Sequence, residues 1–187
     1  QIKHHLVHCA ITSTTTSMIN ATMTMKTYSV SCHCGRVQAK FRRKKDLLLT
    51  VWDCNCSDCA MRRNLHFMVR MTEFGLVDDG SDNRDAVPTE DNDFNNSTSS
   101  MLAQQKYEDE TILYQWGTKT AVRRFCRTCG VLPFYIPRSN PDGYAITLPC
   151  VDWGEDGQPK TEIRSFDGVN WEQSHAATGI AKETENE

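Results

Sequence analysis

Seven cysteines in three tight groups constrain this chain more than any other feature. Cys32 and Cys34 lie in "SCHCGRV", Cys54, Cys56 and Cys59 in "CNCSDC", and Cys126 and Cys129 in "FCRTCG". Cysteines one residue apart make a badly strained ring if they bond each other. The total of nine is also odd, so a complete disulfide framework is not expected. Grouping this close favours metal bound in a reducing compartment. Cys9 and Cys150 stand apart from the groups.

"CRTCG" has the form of a zinc knuckle: the two-residue gap turns both sulfurs toward one ion, and Gly130 permits the tight turn. A thioredoxin-type redox pair would have the same spacing. It would need to open a helix after a strand in a βαβ setting, which this chain does not show. Structural zinc takes four ligands, so Cys126 and Cys129 need two more, and Cys32 and Cys34 complement them. "CNCSDC" is then left with three thiolates and an open position, the layout of a reactive site. The expectation is two zinc ions per chain of different character, one structural and one reactive. His66, in "NLHFMV", is the best internal candidate for the fourth position of the reactive site, but its apolar run favours a core or rim histidine. His33 is expected to point away from the metal, as alternate residues of an extended segment do. Asp58 is either a proton acceptor beside the three thiols or a loop-holding residue.

The surrounding pattern is one of short strands. "GRVQAKF" alternates Val37, Ala39 and Phe41 with polar residues, which suits a sheet with one wet face. "DLLLTVWDC", "LHFMVRM", "TILYQW", "VLPFYI", "YAITLPCV" and "TEIRSF" continue the series between turns such as "NPDG" and "GEDG". No segment shows helical periodicity of useful length, so the expected class is mainly β. A chain of 187 residues suits one domain. It divides into a disordered leader (1–25), rich in Ser and Thr, a β domain (26–175) and a flexible tail (176–187). The acidic run 78–105 reads as a flexible insertion, because it buries too little apolar surface to offset its ordering entropy. A calcium site there lacks EF-hand spacing, and metal binding by His4, His5, His8 and Cys9 in the leader is the weaker alternative to disorder. A net charge of −3 makes no global case for a nucleic-acid or membrane partner, and no stretch approaches the roughly eighteen apolar residues of a membrane span.

The order CxCG, CxCxxC and "FCRTCGV", followed by "PRSNPDGY" and "FDGVNWE", resembles the family of glutathione-dependent formaldehyde-activating enzymes and centromere protein V. The resemblance runs from about Tyr28 to Glu172. It implies a small zinc-bound β-sheet fold of the Mss4-like type, with Cys32, Cys34, Cys126 and Cys129 holding a structural zinc and Cys54, Cys56 and Cys59 a labile, catalytic one. It further implies carbon-sulfur lyase chemistry on glutathione and a small aldehyde such as formaldehyde, giving S-hydroxymethylglutathione. Arg62 and Arg63, just beyond Cys59, are candidates to bind glutathione carboxylates, with solvent-facing arginines as the alternative. "RRKK", Arg42 to Lys45, is expected to be a solvated turn face.

Two other classes compete. A non-catalytic zinc-stabilised module could bind a chromatin or cytoskeletal partner through a basic patch around Arg42, Arg123 and Arg127. No aromatics interleave with basic residues in the manner of a nucleic-acid surface, so a nucleic-acid partner is not favoured. Methionine sulfoxide reduction would need a nucleophilic cysteine in a pocket, whereas Cys150 in "TLPCVDW" reads as a strand thiol. The expected location is the cytoplasm, with the nucleus as the alternative.

Overall fold

A computed structural model describes residues 24–77 and 101–184. The leader's His4, His5, His8 and Cys9 and the acidic run 78–100 lie outside the described residues. Strands β1 (Met25–Ser31) and β2 (Gln38–Lys44) form a hairpin around the first cysteine pair, in register from Met25↔Lys44 to Ser31↔Gln38. The alternation seen in the sequence sets its inner face: Tyr28, Val30, Val37, Ala39 and Phe41 are buried, while Ser29 between them is exposed.

The remaining elements follow as β3 (Leu49–Cys54), α1 (Ser57–Arg62), β4 (Leu65–Arg70), β5 (Phe74–Leu76), α2 (Met101–Asp109) and β6 (Thr111–Tyr114). Then come β7 (Val122–Cys126), β8 (Phe134–Ile136), β9 (Gly143–Thr147), β10 (Val151–Asp152), β11 (Thr161–Phe166) and α3 (Trp171–Thr178). They build a four-stranded sheet, β10-β1-β2-β5, and a seven-stranded sheet, β11-β3-β4-β9-β8-β7-β6. The class is mainly β, as the sequence pattern indicates.

Inward side chains of both sheets share one core that joins Tyr28, Val30 and Phe41 to Val51, Phe67, Phe134 and Ile146. Phe41 is 0% exposed and meets the rings of Tyr28, Phe67 and Trp153 at 5.8, 5.5 and 6.2 Å. Burying such a side chain contributes about 2–3 kcal/mol through the hydrophobic effect.

Strand alternation sends the intervening residues of the seven-stranded sheet to its other face, and register decides which of them meet. The pairs Arg123↔Tyr135, Tyr135↔Ala145 and Ala145↔Met68 form one row across four strands, and Trp52↔His66 lies in the next. Residues paired across strands share a face. This face carries Cys54 at the end of β3 and is covered in part by α1 and α3.

Three expectations change. Residues 101–105, assigned to the flexible insertion, form the first half of α2, with Ala103 buried in the core. This helix carries little apolar patterning and is supported by Gln104–Glu108 and Gln105–Asp109 bonds of 2.7 and 3.0 Å, one turn apart. The flexible tail does not begin at 176. Helix α3 runs through Thr178, and the Asn140 amide donates to the carbonyls of Ile180 and Ala181 and to Thr184 Oγ1 at 3.0, 3.1 and 3.0 Å. Cys150 ends a 3-10 turn, Leu148–Cys150, and is not in a strand. Among the described residues no helix is long and apolar enough to cross a membrane.

Candidate metal centres and the adjoining pocket

The two glycine-terminated cysteine turns are near copies of each other. Cys32 N donates to Val37 O at 2.9 Å and Cys126 N to Val131 O at 3.0 Å. Gly35 N returns to Cys32 O at 3.0 Å and Gly130 N to Cys126 O at 2.9 Å. Both glycines have positive φ, 76° and 72°, which a Cβ would strain. The turns face each other so that the sulfurs of Cys32, Cys34, Cys126 and Cys129 lie within 4.8 Å of one another. Cys32 Sγ is 3.6 Å from Cys34 Sγ, which is 3.5 Å from Cys126 Sγ. A tetrahedron of thiolates with metal–sulfur bonds of about 2.3 Å has edges of roughly 3.8 Å, so the spacing fits one ion and not disulfides. His33 between them is exposed and outside the cluster, as expected.

The second cluster is assembled at a strand-to-helix junction. Cys54 closes β3, Cys56 caps α1 by accepting Cys59 N at 3.4 Å, and Cys59 lies in the first turn. All three sulfurs are buried and within 4.8 Å of one another. Contact with Cys56 pushes the Cys54 thiol up to about 11, and contact with Cys54 pushes Cys59 up as well, while Cys54 and Cys59 together pull Cys56 down to about 2. Thiols this close oppose one another's ionisation unless a cation draws the protons off, so the donor set fits a soft divalent ion such as zinc.

The loop after β11 supports this junction. Asn55 Nδ2 donates to Asp167 Oδ1 at 3.1 Å, and Asp167 also accepts from Asn170 Nδ2 at 2.8 Å. These bonds bring Gly168 so close that a Cβ there would lie 2.6 Å from Cys54 Sγ and 2.6 Å from Cys56 Cβ. "FDGVN" therefore has a local reason for its glycine that cysteine spacing alone does not reveal.

The three thiols open into a cavity of about 350 Å³. Trp116, Pro137, Phe166, Val169 and Trp171 give it apolar walls; His66, Arg123, Tyr135 and Arg138 bring polar groups. His66 is 4% exposed, with Nδ1 3.2 Å from Asn64 O, and burial lowers its pKa to about 4. It lies outside the set of mutually close ligand atoms, in keeping with a core or rim histidine. Tyr135 stands against it, with ring centroids 5.7 Å apart, and burial pushes the phenol well up.

Arg62 and Arg63 do not line the cavity. Arg62 pairs with Asp58 and rests on Phe125 at 5.0 Å, while Arg63 is the left-handed C-cap of α1 (φ 53°) and exposed. Asp58 holds this corner together, because it also pairs with Arg123 Nε at 2.8 Å. The guanidinium groups that do reach the cavity are Arg123 and Arg138. Arg138 stems from "PRSNPDGY" and meets Trp171 of "FDGVNWE", so two segments used only as recognition marks converge on one wall. Arg123 is 7% exposed and so withdrawn from any external basic patch, while the exposed Arg127 donates to the carbonyls of Asp109 and Thr111 at 3.1 and 3.0 Å.

"RRKK" lies elsewhere, beside a separate cleft of about 570 Å³ that contains no cysteine. Arg42 pairs with Glu73 and Lys45 with Asp156, both at 2.8 Å. Cys150 is half-buried outside the thiol cavity, and burial pushes its pKa up to about 11, the reverse of what a reductase nucleophile needs.

Fold and sites together define a mainly β protein with two cysteine clusters, each able to hold a metal ion, one of them open to a cavity. The chain belongs to the glutathione-dependent formaldehyde-activating enzyme family, whose family model matches residues 27–167 of its 187. A crystal structure of a Rhodobacter sphaeroides protein is 22% identical, with a TM-score of 0.44 over 72% of this chain and 99% of that one.

Proposed function

We propose that the protein is a zinc-dependent carbon-sulfur lyase that joins glutathione to formaldehyde, or a similar small aldehyde, and reverses the step. The observation that carries this reading is a buried three-thiol cluster, one donor short of a tetrahedral set, at the wall of a cavity of about 350 Å³. Zinc held by Cys54, Cys56 and Cys59 would supply a Lewis-acid position at which an incoming thiol is favoured as thiolate. The chain's own residues do the rest. Trp116, Phe166 and Trp171 exclude water, which strengthens polar interactions inside the cavity. With His66 Nδ1–H donating to Asn64 O, the imidazole is neutral and its Nε2 keeps a lone pair. The Arg123 guanidinium sets a fixed positive charge beside the sulfurs, oriented by Asp58.

In this reading Cys32, Cys34, Cys126 and Cys129 hold a second, structural zinc that ties the end of β1 to β7, and the Mss4-like comparison belongs with that clamp. Free thiols in both clusters suit a reducing compartment such as the cytoplasm. A purely architectural role for both clusters leaves the cavity beside the three thiols without a purpose.

The test counts zinc per chain during graded chelation and follows exchange between formaldehyde and its glutathione adduct by NMR. Two zincs of unequal affinity are expected, with accelerated exchange that Cys56→Ser abolishes together with the weaker zinc. A single tightly held zinc with no acceleration would overturn the reading.

A further inference from the structure

We infer that Arg138 and Glu172 form a reader for a zwitterionic amino-acid head, so that the thiol substrate is held by its γ-glutamyl end and not by its glycine end. The inference rests on the glutathione reading above and specifies which part of the molecule the pocket recognises.

Arg138 is set with unusual care for a rim residue. Its guanidinium carbon sits 3.6 Å from the Trp171 ring centroid, within cation–π range, and His175 stacks on the same ring at 4.5 Å and 13°. Phe166 meets that ring nearly edge-on at 6.2 Å. Trp171 is thereby fixed, and it fixes the plane of the guanidinium in turn. A guanidinium has five N–H donors, and the only one of Arg138's with a partner among the described residues is Nη2, bonded to Glu172 Oε1. The remaining edge is free for a second carboxylate, which a planar fork binds with two parallel bonds.

Glu172 makes the site specific. Its side chain is 76% exposed against 30% for Arg138, and so open an ion pair contributes at most about 1 kcal/mol by itself. A positive group held by Trp171 and a loosely paired negative one therefore stand side by side at the mouth of the cavity, at little cost to rearrange. A lone carboxylate, such as the glycine end of glutathione, would gain Arg138 but face Glu172. An α-amino-acid head presents carboxylate and ammonium on one carbon and matches both. Arg123, the other cavity cation, shares the one Asp58 carboxylate with Arg62 and has no acidic neighbour lining the cavity to receive an ammonium, so it offers no such pairing. Among the cavity-lining residues, Arg138 and Glu172 are the cation and anion that meet at its edge.

The experiment titrates the zinc-loaded full chain with S-methylglutathione, which cannot react, and with three derivatives: N-acetylated, amidated at the γ-glutamyl α-carboxyl, and amidated at glycine. Binding is read by calorimetry and by Trp171 fluorescence in a background where the other tryptophans are controlled by Trp171→Phe. Loss of either head charge is expected to weaken binding about ten- to a hundredfold, the usual value of a charge-assisted pair, and glycine amidation by less than about threefold. Arg138→Met should then bind the parent and its α-amide equally, Glu172→Gln should no longer discriminate the N-acetyl form, and Arg138→Lys should recover part of the preference. Equal binding of parent and head-modified ligands, a larger loss from glycine amidation, or an unchanged preference in Arg138→Met would each overturn the inference. Adduct exchange measured on the same samples separates the two readings: acceleration without head preference sinks only the reader, and head-dependent binding without acceleration sinks only the lyase.

Discussion

Replacing Gly168 by alanine should disarm the three-cysteine site while sparing the four-cysteine one. The new Cβ would fall 2.6 Å from Cys54 Sγ and Cys56 Cβ and 3.0 Å from Cys56 N. Ordinary contact begins at about 3.5 Å, so the overlap is roughly 1 Å against two atoms at once. Retreat of the glycine loop is opposed by Asp167, which ties it to Asn55 and Asn170, so part of the strain must move the sulfurs. Metal ligation tolerates about 0.2 Å, and overpacking of this kind costs about 1–3 kcal/mol. That corresponds to a zinc affinity lower by about ten- to a hundredfold at this site alone. Graded chelation of wild type and Gly168→Ala, read as zinc per chain, should show the first release step shifted by that factor and the second unmoved. Superimposable curves would refute the reasoning, because they would mean that the loop and not the thiolate cluster yields.

His66 should make stability depend on acidity. Its folded pKa of about 4 lies below the unfolded value near 6.5, so below pH 6.5 the unfolded chain binds a proton that the folded chain refuses. Stability therefore falls as pH drops through this window, and the difference between wild type and His66→Gln in urea unfolding should shrink by about 2 kcal/mol from pH 7 to pH 5. A constant difference would show that the ring is not held neutral. Phe41→Ala, at the meeting point of three aromatic rings, should cost about 3–5 kcal/mol with zinc content intact below the transition; a loss under 1 kcal/mol would mean that the inter-sheet core repacks freely.

The cysteine groups were legible because metal ligation imposes short, typed spacings on the chain, and both ligand sets are brought together as those spacings indicate. Strand alternation was legible for the same kind of reason: Val37, Ala39 and Phe41 are all buried. Sequence proximity misled at Arg62 and Arg63. Following Cys59 on a short helix places Arg62 toward Asp58 and Phe125 and leaves Arg63 exposed at the helix end, and cavity charge comes instead from β7 and from the segment after β8. Arg123 reaches the site through strand register, and Arg138 and Gly168 through loop approach, none of which leaves a periodic trace. The segment 180–184 was misread as a tail because its polar anchors, the buried Asn140 amide and the Asp142 carboxylate, lie about forty positions earlier in the chain, and Ile180 is its one core residue of the sequence-visible kind.

The parallel pairing of β3 with β11, from Leu49↔Thr161 to Cys54↔Phe166, also sets an order of assembly. Asn55 and Asp167, which lock the cover over the three thiols, are 112 positions apart. At a synthesis rate of about 5–20 residues per second, Cys54, Cys56 and Cys59 leave the ribosome on the order of ten seconds before the strand and loop that shelter them. Contacts of such long range also form late once the chain is free. For that interval the thiols lack the shelter of their own fold, and an oxidant or a competing metal would find them at their most accessible in the newborn chain.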